Sequence, residues 1–118
     1  MKTVAIVGIL SAALGVLAGS QIPRRAVLSP LSIITFKIKV PFDQWALGFD
    51  SKEAYQIHKA NNIIPLFRGV NTENPSRVVV IHQSNAGSVE RFLEENKEII
   101  EASGHVMNTT QISNWSFQ

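Results

Sequence analysis

Apolar Ile34, Phe36, Ile38 and Val40 alternate with Thr35, Lys37 and Lys39. Strand side chains point to opposite faces with period two, so this run predicts a strand over 33–40 buried mainly on one face. A sheet with an apolar face must be covered, and the rest of the chain supplies cover and neighbours in a definite order. Pro41 suits the first position of a helix, where its missing N–H costs nothing, and Trp45 and Phe49 fall four apart on one face. Gly48 weakens that helix, and Asp50 with Glu53 has the spacing of a capping box that restarts it through about Ala60. Asn61-Asn62 then ends it. Two β-rich runs follow, Ile63 to Val70 and Arg77 to Gln83, joined by turn-forming residues from Asn71 to Ser76. Pro65 has no donor for a ladder and places the first arm at a sheet edge, whereas Val78, Val79, Val80 and Ile81 suit an inner strand. Val89, Phe92, Leu93, Asn96, Ile99 and Ile100 recur at helical spacing while Glu90, Glu94, Lys97, Glu98 and Glu101 face away, which predicts one long helix capped by Ser88 and ended by Gly104. Val106 to Phe117 reads as a last strand.

The expected fold is therefore α+β and ferredoxin-like: a β-α-β-β-α-β order with two helices on one face of a four-stranded antiparallel sheet. Its other face needs an explanation. If Val78 and Val80 point to the helices, Val79 and Ile81 point away, and a bare apolar face of that extent exceeds what a monomer usually exposes. A second copy of the sheet is the simplest cover, which predicts a homodimer. A ligand or a membrane surface are the alternatives.

Residues from Thr3 to Gly19 carry no charge, follow Lys2, and precede Pro23-Arg24-Arg25. As a helix such a stretch reaches roughly 25 Å, near the lower limit for crossing a hydrocarbon core of roughly 30 Å. It reads equally as a signal peptide. We assign 1–21 to an apolar N-terminal helix acting as a transmembrane anchor or export signal, 22–32 to a linker, and 33–118 to the domain. The localisation expected is membrane-anchored, or exported after cleavage. With 118 residues there is room for one core. Lys2, Arg24 and Arg25 account for three of the 11 Lys and Arg, so the remainder has eight against nine Asp and Glu. A near-neutral domain of this kind argues against nucleic acid as a partner, and no aromatic stands on Arg77–Gln83 to stack a base. The absence of cysteine removes disulfides and thiolate chemistry.

Thr35-Phe36-Lys37, Pro41-Phe42 with Trp45, Phe67-Arg68-Gly69-Val70, Asn74-Pro75-Ser76-Arg77-Val78, Val80-Ile81-His82-Gln83 and Ser113-Asn114-Trp115 together resemble a small uncharacterised family of photosynthetic bacteria. The resemblance spans Ile33 to Phe117. Members of that family look like the dimeric alpha-beta barrel group, in which two ferredoxin-like subunits face each other through their sheets. The resemblance implies a fold and no particular chemistry, and most members lack the apolar leader.

His82 is the position that most invites chemistry, because a polar ring on the most apolar strand must find a partner or face a cavity. Arg68 on the adjacent arm is its expected companion. In a functional reading, a ligand pocket lies between sheet and helices, with Trp45, Tyr55 and Trp115 as walls and His82 and Arg68 orienting the ligand. In a structural reading, His82 bonds a backbone carbonyl, Arg68 pairs with a carboxylate and the tryptophans fill the core. His58 and His105 complete the set of three histidines. No H-x-H or H-x-x-x-H spacing brings two onto one face, so no metal site is expected. Neither G-x-G-x-x-G nor G-x-x-x-x-G-K occurs, so no nucleotide cofactor is expected either. Three functions stay open: a non-catalytic dimeric module binding a small ligand or protein partner, a cofactor-independent oxygenase or isomerase with His82 as base, and a structural subunit of a membrane complex.

Overall fold

The computed structural model describes residues 29–117. The apolar segment 1–21 and most of the linker lie outside the described residues. Among the described residues, no helix is long and apolar enough to cross a membrane. The elements are β1 (Leu31–Ile38), α1 (Phe42–Phe49), α2 (Lys52–Ala60), β2 (Ile64–Val70), β3 (Arg77–Gln83), α3 (Ser88–Glu95), α4 (Lys97–Ala102) and β4 (His105–Trp115). They form a four-stranded sheet of order β2-β3-β1-β4 with antiparallel neighbours throughout. This is the ferredoxin-like arrangement expected. Pro65 stands on β2 at the edge of the sheet, and the valine-rich β3 lies inside it.

The core side of the sheet follows from the alternation. Ile34, Phe36 and Ile38 of β1 are buried with Val78 and Val80 of β3, and they pack against Trp45 and Ala46 of α1 and Val89 and Phe92 of α3. Burying a side chain of this size contributes roughly 1.5–3 kcal/mol. β1 begins at Leu31, two residues earlier than its alternation suggested, because Leu31 and Ser32 pair with Gln83 and His82 on one side and with Trp115 and Asn114 on the other. It ends before Val40, where the chain turns into Pro41 and α1.

Each expected helix is broken once, and each break has a local cause. Ser51, not Asp50, caps α2 by accepting a hydrogen bond from the Ala54 N–H at 3.1 Å. Asp50 instead ends α1, and its carboxylate receives two hydrogen bonds from Arg68 at 2.8 and 2.6 Å. In the second helical segment Asn96 leaves helical geometry (φ −116°, ψ 26°), and its side-chain amide donates to the Phe92 carbonyl at 3.0 Å. The Asn96 N–H also donates to that carbonyl at 3.0 Å, so the break lies in the backbone dihedrals of Asn96, which divide the single helix expected into α3 and α4. The residue before α3 is Gly87 in the left-handed region, with Ser88 already the first helical residue.

Gly104 does stand where a terminating glycine was expected, at φ 108°. A β-carbon there would come within 2.7 Å of Val40. The backbone passes close because the Lys39 N–H donates to the Gly104 carbonyl at 2.9 Å, tying the end of β1 to the start of β4.

The opposite sheet face carries rows set by the strand register. Phe67, Ile81, Ile33 and Ser113 form one row, and Ile64, Gln83, Leu31 and Trp115 the next. Arg77 and Lys37 mark the polar end. No helix among the described residues covers this face, and Ile64 and Trp115 are each more than half exposed.

Candidate functional site

Between the sheet and the helices lies a cavity of about 310 Å³. β1 and β3 supply its floor, with Ile34, Phe36, Val80 and His82; α1 and α2 supply one wall, with Trp45, Phe49, Ala54, Ile57 and His58. α3 and α4 form the other wall through Val89, Phe92, Leu93, Ile99 and Ile100, and His105 closes the end at β4. Glu53 is the one charged residue in this lining, and it is exposed.

The lining is dominated by rings in contact. Trp45 stacks on Phe49 with centroids 4.9 Å apart and meets Phe36 edge-on at 5.6 Å. Phe36 in turn lies flat on His105 at 3.8 Å. His58 sits 4.8 Å from Phe92 and 5.4 Å from Phe49. The His58 and His82 rings are 5.1 Å apart at 69°.

His82 is the anomaly in this lining. It is 4% exposed, and neither ring nitrogen has a hydrogen-bond partner among the described residues. Ser32 stands directly across from it in the β1–β3 register, yet the Ser32 hydroxyl donates to Asn114 Oδ1 at 2.7 Å and lies 2.9 Å from the Ser84 hydroxyl. Burial, reinforced by the neighbouring His58, pushes the His82 pKa down to about 3, so the ring is neutral. Burial also lowers His58, partly opposed by the hydrogen bond that its Nδ1 donates to the Ala54 carbonyl at 2.6 Å. His105 is pushed down to about 4 by burial, and its Nε2 is 2.7 Å from the Thr110 hydroxyl.

His105 owes its position to an irregularity in β4. Thr35 pairs with Gln111 and Lys37 with Val106, so β4 spends three more residues than β1 between these rungs. Thr109 Oγ1 fills the gap by accepting from the Lys37 N–H at 2.8 Å. Bulges of this kind re-aim side chains and recur beside functional sites.

Of the residues singled out from sequence, His82 and Trp45 meet in the cavity. Arg68, Tyr55 and Trp115 are not among its lining residues. Arg68 is not the companion of His82; it pairs with Asp50 and lies over the Phe42 ring at 5.6 Å from the centroid, fastening the α1–α2 turn to the edge strand. Tyr55 and Trp115 are 56% and 52% exposed. His58 and His105, not singled out as ligand-binding residues from the sequence, also line the cavity. The sequence carried a signal for each: His58 continues the Ala54 and Ile57 face of α2, and His105 opens β4 opposite the buried Ile38. Among the described residues no group of three or more His, Asp or Glu is arranged to hold a metal ion.

The model of a family described as a domain of unknown function, DUF3764, matches residues 29–117. A search of curated proteins found no match. Among solved structures, the chain is similar to a monooxygenase from the gene ActVA-Orf6 of Streptomyces coelicolor in complex with the ligand Nanaomycin D, at a TM-score of 0.53 and 11% identity over 77% of this chain and 88% of that one. It is also similar to a NIPSNAP family protein from Agrobacterium tumefaciens strain C58, at a TM-score of 0.48 and 11% identity over 73% of this chain and 90% of that one. The first likeness shows the fold, the ferredoxin-like α+β arrangement described above.

Proposed function

The chain belongs to the DUF3764 family, and we propose that it is a small-molecule-binding module whose site is the cavity between sheet and helices. One observation carries the reading: His82 lines a cavity of about 310 Å³, and neither of its buried ring nitrogens has a hydrogen-bond partner among the described residues. Leaving a buried polar group unsatisfied costs about 1–3 kcal/mol, a cost that a bound polar group removes. The volume lies at the lower end of ordinary small-molecule sites, roughly 300–1,000 Å³. The lining contains no Lys or Arg and three neutral histidines, so an anion would lose its hydration without a counter-charge, and a cation would find only the solvent-exposed Glu53. The ligand is therefore uncharged and largely apolar.

Proton abstraction by His82 fits less well. A general base works best with a pKa near the operating pH, and His82 lies far below neutrality. The oxygenase or isomerase reading keeps as support the fold shared with a monooxygenase. The cavity weighs against a purely structural subunit, whose core would be filled.

Two further parts of the proposal concern assembly. The exposed Ile64 and Trp115, with the partly exposed Phe67, Ile33 and Leu31 on the same face, support a homodimer formed through the open sheet faces. The charge-free run from Thr3 to Gly19 supports attachment to a membrane or export across one.

Methyl-labelled NMR with naphthalene as probe tests the site. Saturable shifts on Ile34, Val80 and Val89 are expected, and the cavity-filling variant Ala54→Phe should abolish them. Shifts confined to Ile33 and Val79 on the open face, or none at all, would contradict the reading.

A further inference from the structure

We infer, building on the ligand-site reading above, that the cavity selects an uncharged hydroxylated aromatic compound and that His58 and His82 together read its hydroxyl group. The argument is an inventory of donors and acceptors. The Ala54 carbonyl can only accept, so His58 Nδ1 at 2.6 Å carries the proton and Nε2 is left with a lone pair. Neutral His82 brings one N–H and one lone pair, both unused. The pair thus offers two acceptors and one donor within two rings 5.1 Å apart.

Of the other polar groups in the lining, Glu53 is exposed to solvent and the rest are already engaged. The Ser51 hydroxyl bonds Gly48 and Ala54, the Ser103 hydroxyl donates to the Ile100 carbonyl, and His105 Nε2 is bonded to Thr110. A carboxylate would meet two lone pairs and one N–H with no cationic side chain in the lining. A ketone would satisfy the donor alone. A hydroxyl both donates and accepts, and so matches the pair. The ring-lined walls at Trp45, Phe49 and Phe92 offer faces and edges suited to a planar aromatic body.

The test is calorimetric titration of the full chain with naphthalene, 2-naphthol and 2-naphthoate, alongside ¹⁵N spectra of the histidine side chains. We expect 2-naphthol to bind about tenfold tighter than naphthalene, the gain of roughly one net hydrogen bond. We expect 2-naphthoate to bind at least about tenfold more weakly than 2-naphthol. The ¹⁵N signals of His58 and His82 should move with 2-naphthol and far less with naphthalene, a readout that needs no variant. In His82→Leu the preference for 2-naphthol over naphthalene should vanish. Equal affinity for naphthalene and 2-naphthol in the unaltered chain would overturn the hydroxyl preference and leave the ligand site standing. Failure of all three to bind would overturn both.

Discussion

His82 concentrates the tension between stability and function in this domain. Its unpartnered nitrogens are a cost in the empty protein, so His82→Leu should stabilise the ligand-free chain by about 1–3 kcal/mol, raising the melting temperature by several degrees. The same change should remove selective binding. Thermal unfolding with and without 2-naphthol checks both halves. The histidines also set a pH dependence of definite sign. In the unfolded chain they titrate near 6.5, whereas folding holds His82 at about 3 and His105 at about 4. Between those values the unfolded state binds more protons, so stability is complete above about pH 6.5 and falls as the pH drops toward 4 and then 3. Melting curves from pH 7 to 4 should show that decline, and it should be shallower in His82→Leu. The importance of His82 was legible in the sequence, because a lone ring in Val78-Val79-Val80-Ile81-His82 has no polar company. Its surroundings were less so. Arg68 is adjacent across the ladder, but Asp50 holds the guanidinium, and that competition depends on where the α1–α2 turn falls in space. The contributions of His58 and His105 require knowing that a helix face and a strand end converge on one volume.

At the level of elements, local interactions decide where segments stop, and the stops shape the cavity. The break at Asn96 separates α3 from α4 and leaves Ile99 59% exposed at the rim of the cavity while Ile100 packs against the core. Periodicity across Val89 to Ile100 identified Val89, Phe92, Leu93 and Ile100 as core-facing but included the exposed Ile99, and could not register the single non-helical residue, Asn96, that divides the helix. The Ser51 cap is a similar case. The acidic pair Asp50 and Glu53 has capping-box spacing, yet Ser51, one residue later, carries the cap while the Asp50 carboxylate holds Arg68. Ser51→Ala should cost about 1 kcal/mol, measured by chemical denaturation. Asp50→Asn should cost less than about 1 kcal/mol, since the ion pair it breaks is solvent-exposed. Gly104→Ala should be more damaging than either, because it combines a left-handed φ with a β-carbon 2.7 Å from Val40. A partial rescue by Val40→Ala in the double variant would identify the steric share of that loss.

For the whole molecule, the alternation of apolar residues and one edge proline specified a four-stranded antiparallel sheet with β2 at its edge and β3 inside, as the structure has it. It also showed that both faces of β3 are apolar, which a monomeric two-layer domain does not explain. The cavity itself was not legible, since a pocket is the space between packed side chains and no residue pattern encodes its volume. A homodimer through the open face should sediment as twice the chain mass, and Phe67→Glu, placing a charge in the Phe67, Ile81 and Ile33 row, should yield monomers with the cavity intact. A monomer before substitution would remove the dimer from the account without touching the site. The site is the central claim, and native mass spectrometry on the full chain isolated from the cells that make it tests that claim most directly. The account predicts one uncharged small molecule retained per chain and lost in His82→Leu; an unadorned chain mass, or the same adduct on the variant, would contradict it.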